Sequence, residues 1–284
     1  MSDKFSAATT RFSAEFFPPK TPEGAEKLRA TRKILAALQP EYFSVTFGAG
    51  GSTQVGTRDT VLEMHKEGHV AAPHLSCIGR SRADLREILG EYMQAGIRRL
   101  VALRGDLPSG FGGSAGDFSH ANELIEFIRA ETSDWFHIET AAYPEMHPQA
   151  KSPQDDLQNF ARKIKAGANS AITQYFFNPD AYFRFVDEAR KLGIDVPVVA
   201  GIMPITNYTQ LARFSEMCGA EIPRWIRLKL ASFGDDSASI RAFGLVVVTG
   251  WCERLIEGGA PGLHFYSLNQ AEPTQTIWKR LISR

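Results

Sequence analysis

The sequence predicts an α/β fold, a (β/α)8 TIM barrel formed by residues 1–284 as a single domain. Eight short apolar segments, rich in β-branched and aromatic residues, alternate with helical segments along the chain. Strict alternation indicates a parallel sheet with right-handed crossovers. The length of 284 residues suits a barrel, which typically takes about 250 residues. A doubly wound sheet is the competing architecture, but eight units is the number that closes a barrel.

The first half of the chain contains four strand–helix units. Thr21 and Pro22 are suited to the N-cap and first position of the first helix, and Ser81 is suited to cap the third. Glycine-rich segments at residues 48–51 and 110–116 follow the second and fourth strands. The strands are predicted at residues 12–17, 42–47, 72–78 and 99–103.

The second half repeats this order. Helices are expected at about residues 153–166, from 179 to just before Gly193, from about 207, over a longer tract that ends near residue 256, and at the end of the chain. The remaining strands are predicted at residues 137–143, 170–176, 196–203 and 262–268.

Composition narrows the class of protein. A net charge of +0 and a pI near 7.1 argue against nucleic acid or an anionic membrane as the main partner. No apolar run approaches the roughly 20 residues of a membrane helix, and no secretory signal is evident. Cys77, Cys218 and Cys252 show no C-x-x-C spacing, so neither a disulfide framework nor a thiolate metal site is expected. The seven histidines lack zinc spacing with a nearby acid, and we predict no metal and a cytoplasmic protein.

Glu15 is the most informative residue of the first strand. It lies in an apolar segment that Pro18 and Pro19 end, so it should sit near the carboxyl end of the strand. A buried carboxylate is costly unless it is paired or protonated. Flanking aromatic residues and a dry setting predict a raised pKa and a proton donor for neutral pH. The alternative is a salt-bridged or edge-strand glutamate.

Polar side chains also end the other predicted strands. Each one alone could be an ordinary structural polar group, but in a barrel all of these ends converge on the face that carries the chemistry. These residues are Glu15, Thr46, His74, Arg104, Asp106, Tyr143, Gln174 and Tyr266.

The segment Arg104-Gly105-Asp106 places a cation and a carboxylate around a glycine that lets a ligand approach the backbone. It could equally be an ion pair at a turn. The glycine-rich segments fit neither the G-x-G-x-x-G nor the GK[ST] pattern, so a dinucleotide, if bound, is bound in another way.

Two helices carry further candidate residues. Asp156, Asn159, Arg162 and Lys163 share an arc of about 120° on one helix, which is typical either of a solvated surface or of a site for phosphate and ribose. Gln210 and Phe214 are neighbours at i, i+4 on a later helix. They could hold a flat heterocycle, or be a partly buried ring beside an exposed amide.

The motifs together resemble the 5,10-methylenetetrahydrofolate reductase family of flavoproteins. The matches run in order along the chain: Glu15-Phe-Phe-Pro-Pro-Lys-Thr21, Ser44-Val-Thr-Phe-Gly-Ala49, Ala72-Pro-His-Leu75, Ala102-Leu-Arg-Gly-Asp-Leu-Pro108, Ala142-Tyr-Pro-Glu145 with His147-Pro148, Ile172-Thr-Gln174, and His264-Phe-Tyr-Ser-Leu-Asn269. This resemblance implies a (β/α)8 barrel that reduces methylenetetrahydrofolate to 5-methyltetrahydrofolate, with FAD as cofactor and NAD(P)H as donor in a ping-pong reaction that serves one-carbon metabolism and methionine biosynthesis.

The resemblance also implies roles for residues. Glu15 matches the general acid that promotes ring opening to a 5-iminium ion, and Asp106 matches a residue close to both flavin and pterin. Expected substrate contacts are Gln174, Gln210, Phe214, Tyr266 and Gln270. Expected flavin contacts are Thr46, His74, Arg104, Gly105, Asp106, Tyr143, His147, Asp156, Asn159, Arg162 and Lys163.

Gln270 departs from the pattern, which has arginine in a folate-contacting role. An amide cannot make a charge-assisted, bidentate hydrogen bond to a carboxylate. How the protein binds the polar tail of the substrate is therefore an open question. A folate-binding or assembly subunit without turnover is the main alternative, and a flavin barrel enzyme acting on another amine is a third. A homo-oligomer is expected from the family, as is the absence of feedback control by adenosylmethionine, since the family's eukaryotic regulatory domain is not found. The choice between NADH and NADPH is open.

Overall fold

Eight parallel strands close into a barrel in chain order, with the first strand hydrogen-bonded to the eighth. The structure is a computed structural model that describes residues 10–48, 54–106 and 116–283. The strands are β1 (Arg11–Phe16), β2 (Tyr42–Val45), β3 (Ala71–Ser76), β4 (Arg99–Leu103), β5 (His137–Ala142), β6 (Ser170–Thr173), β7 (Val198–Ile202) and β8 (Gly262–Tyr266). The predicted (β/α)8 barrel is confirmed.

Helices connect the strands on the outside of the barrel. They are α1 (Pro22–Ala36), α2 (Gln54–Lys66), α3 (Arg82–Gln94), α4 (Ala121–Thr132), α5 (Pro153–Lys165), α6 (Pro179–Lys191), α7 (Tyr208–Cys218), α8 (Arg224–Ser232), α9 (Ser237–Glu257) and α10 (Thr274–Ile282). In the part of the chain that the structure describes, none of these helices is long and apolar enough to cross a membrane.

The helix starts follow the capping chemistry of the sequence. The Thr21 hydroxyl accepts a hydrogen bond from the Gly24 N–H, with Pro22 in the first turn of α1. Ser81 and Asp84 form a reciprocal capping box at α3. These side chains satisfy N–H groups that have no partner within the helix, so both predicted caps are confirmed.

Several predicted strands are too long at their carboxyl ends. β6 ends at Thr173, although three aromatic residues, Tyr175, Phe176 and Phe177, follow after Gln174. Tyr175, Phe176 and Phe177 are buried in the core beyond the ladder. Packing against neighbouring elements, and not strand pairing, buries these three rings. The aromatic residues therefore extend beyond the end of the strand.

A buried charged cluster occupies the amino-terminal end of the barrel. Glu139 on β5 is 1% exposed and accepts hydrogen bonds from Arg99 and from the Ser170 hydroxyl. Arg99 also pairs with Glu41 and lies over the ring of Tyr42. These ionic contacts lie at the amino-terminal end of the barrel, where residues usually contribute to stability. Barrel enzymes have their active sites at the opposite, carboxyl end.

Candidate active site

Glu15 lies inside the carboxyl end of the barrel, one residue before β1 ends, and is 9% exposed. Its Oε2 atom is 3.3 Å from His74 Nε2 on β3 and 3.8 Å from His264 Nε2 on β8. Because β1 pairs with β8 and lies two strands from β3, barrel closure brings the carboxylate and both imidazoles together. The result is a buried carboxylate–imidazole cluster.

His264 is held from both sides of its ring. Its Nδ1 atom shares a hydrogen bond of 2.7 Å with Ser13 Oγ, and its Nε2 atom lies 3.4 Å from Ser44 Oγ. His74 differs, because its buried Nε2 makes no hydrogen bond of normal geometry although it faces Glu15. Hydrogen bonds of catalytic groups are often poorly aligned before substrate binds. His74 is therefore free to form a better bond when the site is occupied.

The protonation of Glu15 differs from the prediction. Burial raises its pKa, as expected from the sequence, but hydrogen bonds and positive charge from His264 and His74 outweigh burial and lower the pKa from 4.5 to about 2. The prediction of a raised pKa is wrong for the chain without ligands. Neighbouring cations favour the ionised carboxylate more strongly than burial disfavours it.

An apolar cavity of about 250 Å3 opens beside Glu15. Three of the predicted substrate-binding residues, Gln174, Phe214 and Tyr266, lie in its wall. The Tyr266 hydroxyl donates a hydrogen bond to the carbonyl of Thr173, which holds this side chain in the cavity wall. The full lining is Glu15, Phe17, Gln174, Tyr175, Met203, Phe214, Met217, Cys218, Tyr266 and Leu268.

A second, polar cavity of about 360 Å3 contains seven of the predicted cofactor-binding residues. These seven come from the ends of β4 and β5 and from α5, and they are Arg104, Tyr143, His147, Asp156, Asn159, Arg162 and Lys163. His120, Asn122, Gln149 and Lys151 also line it. The polar arc of α5 therefore faces a cavity, while Phe160 and Ala161 of the same helix are buried.

The charges in the polar cavity are held by specific contacts. Arg104 donates to Gln149 Oε1 at 2.6 Å, and Asp156 accepts the N–H of His147 at 2.8 Å. Lys163 donates to the carbonyl of Ala141. Burial lowers the pKa of Lys163 to about 8, and the charge of Asp156 partly opposes that shift. The site thus presents cations beside a carboxylate and an amide, a donor set that suits phosphate and ribose.

The remaining predicted residues lie outside both linings. The Thr46 N–H donates to the carbonyl of Phe16. Gly105 has a φ of +86°, and a Cβ atom there would lie 1.8 Å from Ser76 Oγ, so this position requires glycine. The side chain of Asp106 is 84% exposed and lies 3.8 Å from Arg104. The contact between Arg104 and Asp106 therefore agrees with the alternative prediction of an ion pair at a turn.

Gln210 and Gln270 are both exposed. The Gln210 N–H donates to the N-cap side chain of Asn207 at the start of α7, and the Gln270 N–H donates to the carbonyl of Ser267. Neither side chain touches the cavity that holds Phe214. Parts of the predicted glycine-rich segments, residues 49–53 and 107–115, lie outside the described residues.

Two features of the site were not predicted. His264 was noted only within a motif, and its contact with Glu15 depends on the β1–β8 register, which pairs Ser13 with His264. Phe17 is 43% exposed and lines the apolar cavity. The signal available in the sequence was an aromatic residue placed directly after the end of a predicted strand.

The sequence was compared with known families and curated proteins. The model of the family described as methylenetetrahydrofolate reductase matches residues 1–282. The 5,10-methylenetetrahydrofolate reductase of Salmonella typhimurium is 40% identical over 266 residues, which cover 93% of this chain and 88% of the relative. The Pectobacterium carotovorum protein of the same name is 41% identical with the same coverage. Methylenetetrahydrofolate reductase (NADH) 1 of Arabidopsis thaliana is 35% identical over 94% of this chain, which spans 48% of the plant protein.

Solved structures give a likeness of fold alone. A Clostridium thermocellum protein described as binding two copies of 5-methyl-5,6,7,8-tetrahydrofolic acid aligns with a TM-score of 0.64 and 15% identity, over 99% of this chain and 96% of that one. Dihydropteroate synthase from Xanthomonas albilineans aligns with a TM-score of 0.52 and 12% identity, over 98% of this chain and 95% of that one.

Proposed function

The chain belongs to the methylenetetrahydrofolate reductase family, and from that premise we propose an FAD-dependent reductase that makes 5-methyltetrahydrofolate with NADH in a ping-pong reaction. The family reaction is the reduction of methylenetetrahydrofolate. The observation that carries the proposal is the buried Glu15–His74–His264 cluster in the wall of an apolar cavity. NADH is the preferred donor because the plant relatives carry NADH in their names.

The residues of the polar cavity fit FAD. Arg104, Arg162 and Lys163 supply positive charge for a diphosphate, and Asp156 and Asn159 supply oxygen and amide groups for hydroxyls. Within the described residues, the buried Nε2 atom of His74 makes no hydrogen bond of normal geometry, and it lies 3.3 Å from Glu15 Oε2. When bound, FAD would supply the hydride transfer that links the nicotinamide donor to the folate.

The apolar cavity suits the folate. Phe214 offers an aromatic face for a flat ring, and Gln174 offers an amide to pair with the polar edge of a pterin. Few polar groups among apolar walls are typical of a small-molecule site, in which those groups fix the orientation of the ligand. Glu15 in the same wall would then face the reacting part of the substrate.

Glu15 would act as the acid of the folate step. Ring opening breaks the bond between N10 and the methylene carbon, so that a proton is taken up at N10 and a 5-iminium ion remains, whose methylene carbon accepts the hydride. The unliganded Glu15 is ionised, since its pKa is about 2, so its proton must come from a neighbour. His74 Nε2, 3.3 Å from Glu15 Oε2, is the neighbouring group that would supply this proton.

Occupation of both cavities would favour movement of that proton to Glu15. Excluding water lowers the local dielectric constant, which raises the cost of a charged carboxylate–imidazolium pair relative to the neutral pair. A protonated carboxyl then forms only when substrate is present. We assign Asp106, at the end of β4, to the stabilisation of positive charge that develops on the substrate.

A homo-oligomer is proposed as the functional form. Trp225 and Leu228 on α8 and Val246 on α9 are 54%, 59% and 66% exposed. Trp225 packs against Phe243 of α9, so the two helices are in contact beside these residues, and large exposed apolar side chains on adjoining helices are typical of contacts between proteins. Light scattering of the purified protein tests this expectation, and a monomer at all concentrations would refute it.

The reductase is tested by a pair of anaerobic half-reactions. The protein should bind FAD, its flavin should be bleached by NADH, and methylenetetrahydrofolate should restore the oxidised absorbance with formation of 5-methyltetrahydrofolate. Failure to bind FAD refutes the proposal. Folate binding without reoxidation would instead indicate a binding or assembly subunit.

A further inference from the structure

The turn that follows β8 has an unusual backbone. Leu268 and Asn269 have φ values of 51° and 57°, in the left-handed region that residues other than glycine seldom adopt. Asparagine tolerates this region, whereas leucine has no local compensation. Leu268 also lines the apolar cavity. Such backbone persists only where the surrounding contacts fix it, and it is frequent at functional sites.

Three side-chain hydrogen bonds tie this turn to the end of β1. The last residue pair of the β1–β8 ladder is Glu15 with Tyr266. Beyond it, Ser267 Oγ donates to the carbonyl of Glu15 at 2.5 Å and accepts the N–H of Asn269 at 3.2 Å. The side chain of Asn269 then accepts the Phe17 N–H at 2.8 Å and donates to the Phe17 carbonyl at 2.9 Å. The side chain of Asn269 therefore makes the pair of hydrogen bonds to Phe17 that the backbone of a neighbouring strand residue would otherwise make.

The end of β1 needs such a replacement. Phe17 is followed by Pro18 and Pro19, which have no N–H to donate to a neighbouring strand. On the opposite side, β2 contributes the Thr46 N–H to the carbonyl of Phe16. On the β8 side, Phe17 is held by the side chain of Asn269, which is itself tied to α1 by the bond from Thr31 Oγ1 to the Asn269 carbonyl.

We propose that Asn269 is a positioning residue that fixes the backbone from Glu15 to Phe17, and thereby sets the position of the Glu15 carboxyl and the Phe17 ring in the apolar cavity. This role rests on the proposed reductase function. It extends that function, because it makes the turn after β8 responsible for the position of Glu15, the proposed acid. Displacement of a catalytic group by about 1 Å can cost about 10²-fold in rate.

Two substitutions separate the side-chain role from the backbone requirement. Asn269→Gly retains the left-handed conformation and removes both bonds to Phe17. Asn269→Asp is isosteric and retains the acceptor for the Phe17 N–H, but it places a carboxylate oxygen against the Phe17 carbonyl. Asn178→Asp is the matched control, because the Asn178 side chain accepts the Asp180 N–H through its oxygen, which an aspartate also has.

The measurement combines the chain without FAD and the holoenzyme. In the unloaded protein, hydrogen exchange at the Phe17 amide should be slow in the wild type and in Asn178→Asp, and fast in Asn269→Gly. In the holoenzyme, both Asn269 variants should reduce flavin with NADH within about twofold of wild type. Reoxidation by methylenetetrahydrofolate should fall by about 10²-fold, with a changed pH profile.

Each outcome decides between explanations. Equal losses in both half-reactions, or an unprotected Phe17 amide in the wild type, would overturn the positioning role. Wild-type rates in both Asn269 variants would also overturn it. If the wild type itself is not reoxidised by the folate, the proposed function fails, whereas the exchange of the Phe17 amide still tests the clamp in the unloaded chain.

Discussion

Replacing Glu15 with glutamine should destabilise the protein at neutral pH, and the loss should fade in acid. The carboxylate has its pKa lowered from 4.5 to about 2 against the effect of burial, by the imidazoles of His264 and His74. A lowering of this size corresponds to about 3 kcal/mol of stability when the group is ionised. Because the folded-state pKa is the lower one, this contribution is complete above pH 4.5 and is lost as the pH falls towards 2.

The assay is urea unfolding of wild type and Glu15→Gln between pH 7 and pH 3.5. At pH 7 the variant should be less stable by about 3 kcal/mol, and at pH 3.5 the difference should have shrunk by about 1 kcal/mol. Glu188→Gln, at an exposed carboxylate, is the control, and its effect should stay within about 0.5 kcal/mol.

The sign of the Glu15→Gln effect decides the case. If apolar surroundings raised the pKa of this carboxyl, its ionised form would destabilise the folded protein. Its replacement by glutamine would then stabilise the protein at pH 7. A variant as stable as the wild type, or more stable, would refute the ionised carboxylate–imidazole cluster.

Three further predictions concern the binding of the folate and of FAD. Gln270→Arg should tighten folate binding by up to about tenfold through a charge-assisted contact, with the rate of flavin reduction by NADH unchanged; substrate titrations of both half-reactions measure this. Gly105→Ala should lower the melting temperature and FAD occupancy together, because its Cβ atom would lie 1.8 Å from Ser76 Oγ at a φ of +86°; thermal unfolding and flavin absorbance report both. FAD affinity should weaken as the pH rises through about 8, where Lys163 loses its proton, and Lys163→Met should bind more weakly with a flatter pH dependence in fluorescence titrations.

The sequence was sufficient for the barrel, and many of the residues it predicted for the site line one of two cavities. Alternating strands and helices, with caps such as Thr21 and Ser81, are local signals that the structure follows. Polar residues at strand ends, including Arg104 and Gln174, converge because parallel strands end on one face. The arc of α5 was predictable from helical periodicity, although the periodicity alone did not distinguish a cavity from solvent.

The rest depends on register and on contacts distant in the chain. The pKa of Glu15 was predicted with the wrong sign because the contact with His264 follows from pairing between the first and last strands, 251 residues apart at Ser13 and His264. Strand ends such as that of β6 were misplaced because apolar residues beyond Thr173 pack outside the ladder. The Asn269 clamp on Phe17 joins a side chain to backbone, which no periodic pattern encodes.

The most direct test of Glu15 as the acid of the folate step is the pair of half-reactions in wild type and Glu15→Gln. Both proteins should be reduced by NADH at similar rates. We expect methylenetetrahydrofolate to reoxidise the wild-type flavin and to leave that of the variant reduced, because the amide of glutamine is far too weak an acid to protonate N10. If the variant's flavin is reoxidised as fast as that of the wild type, Glu15 is not the acid, and the carboxylate–imidazole cluster serves the structure alone.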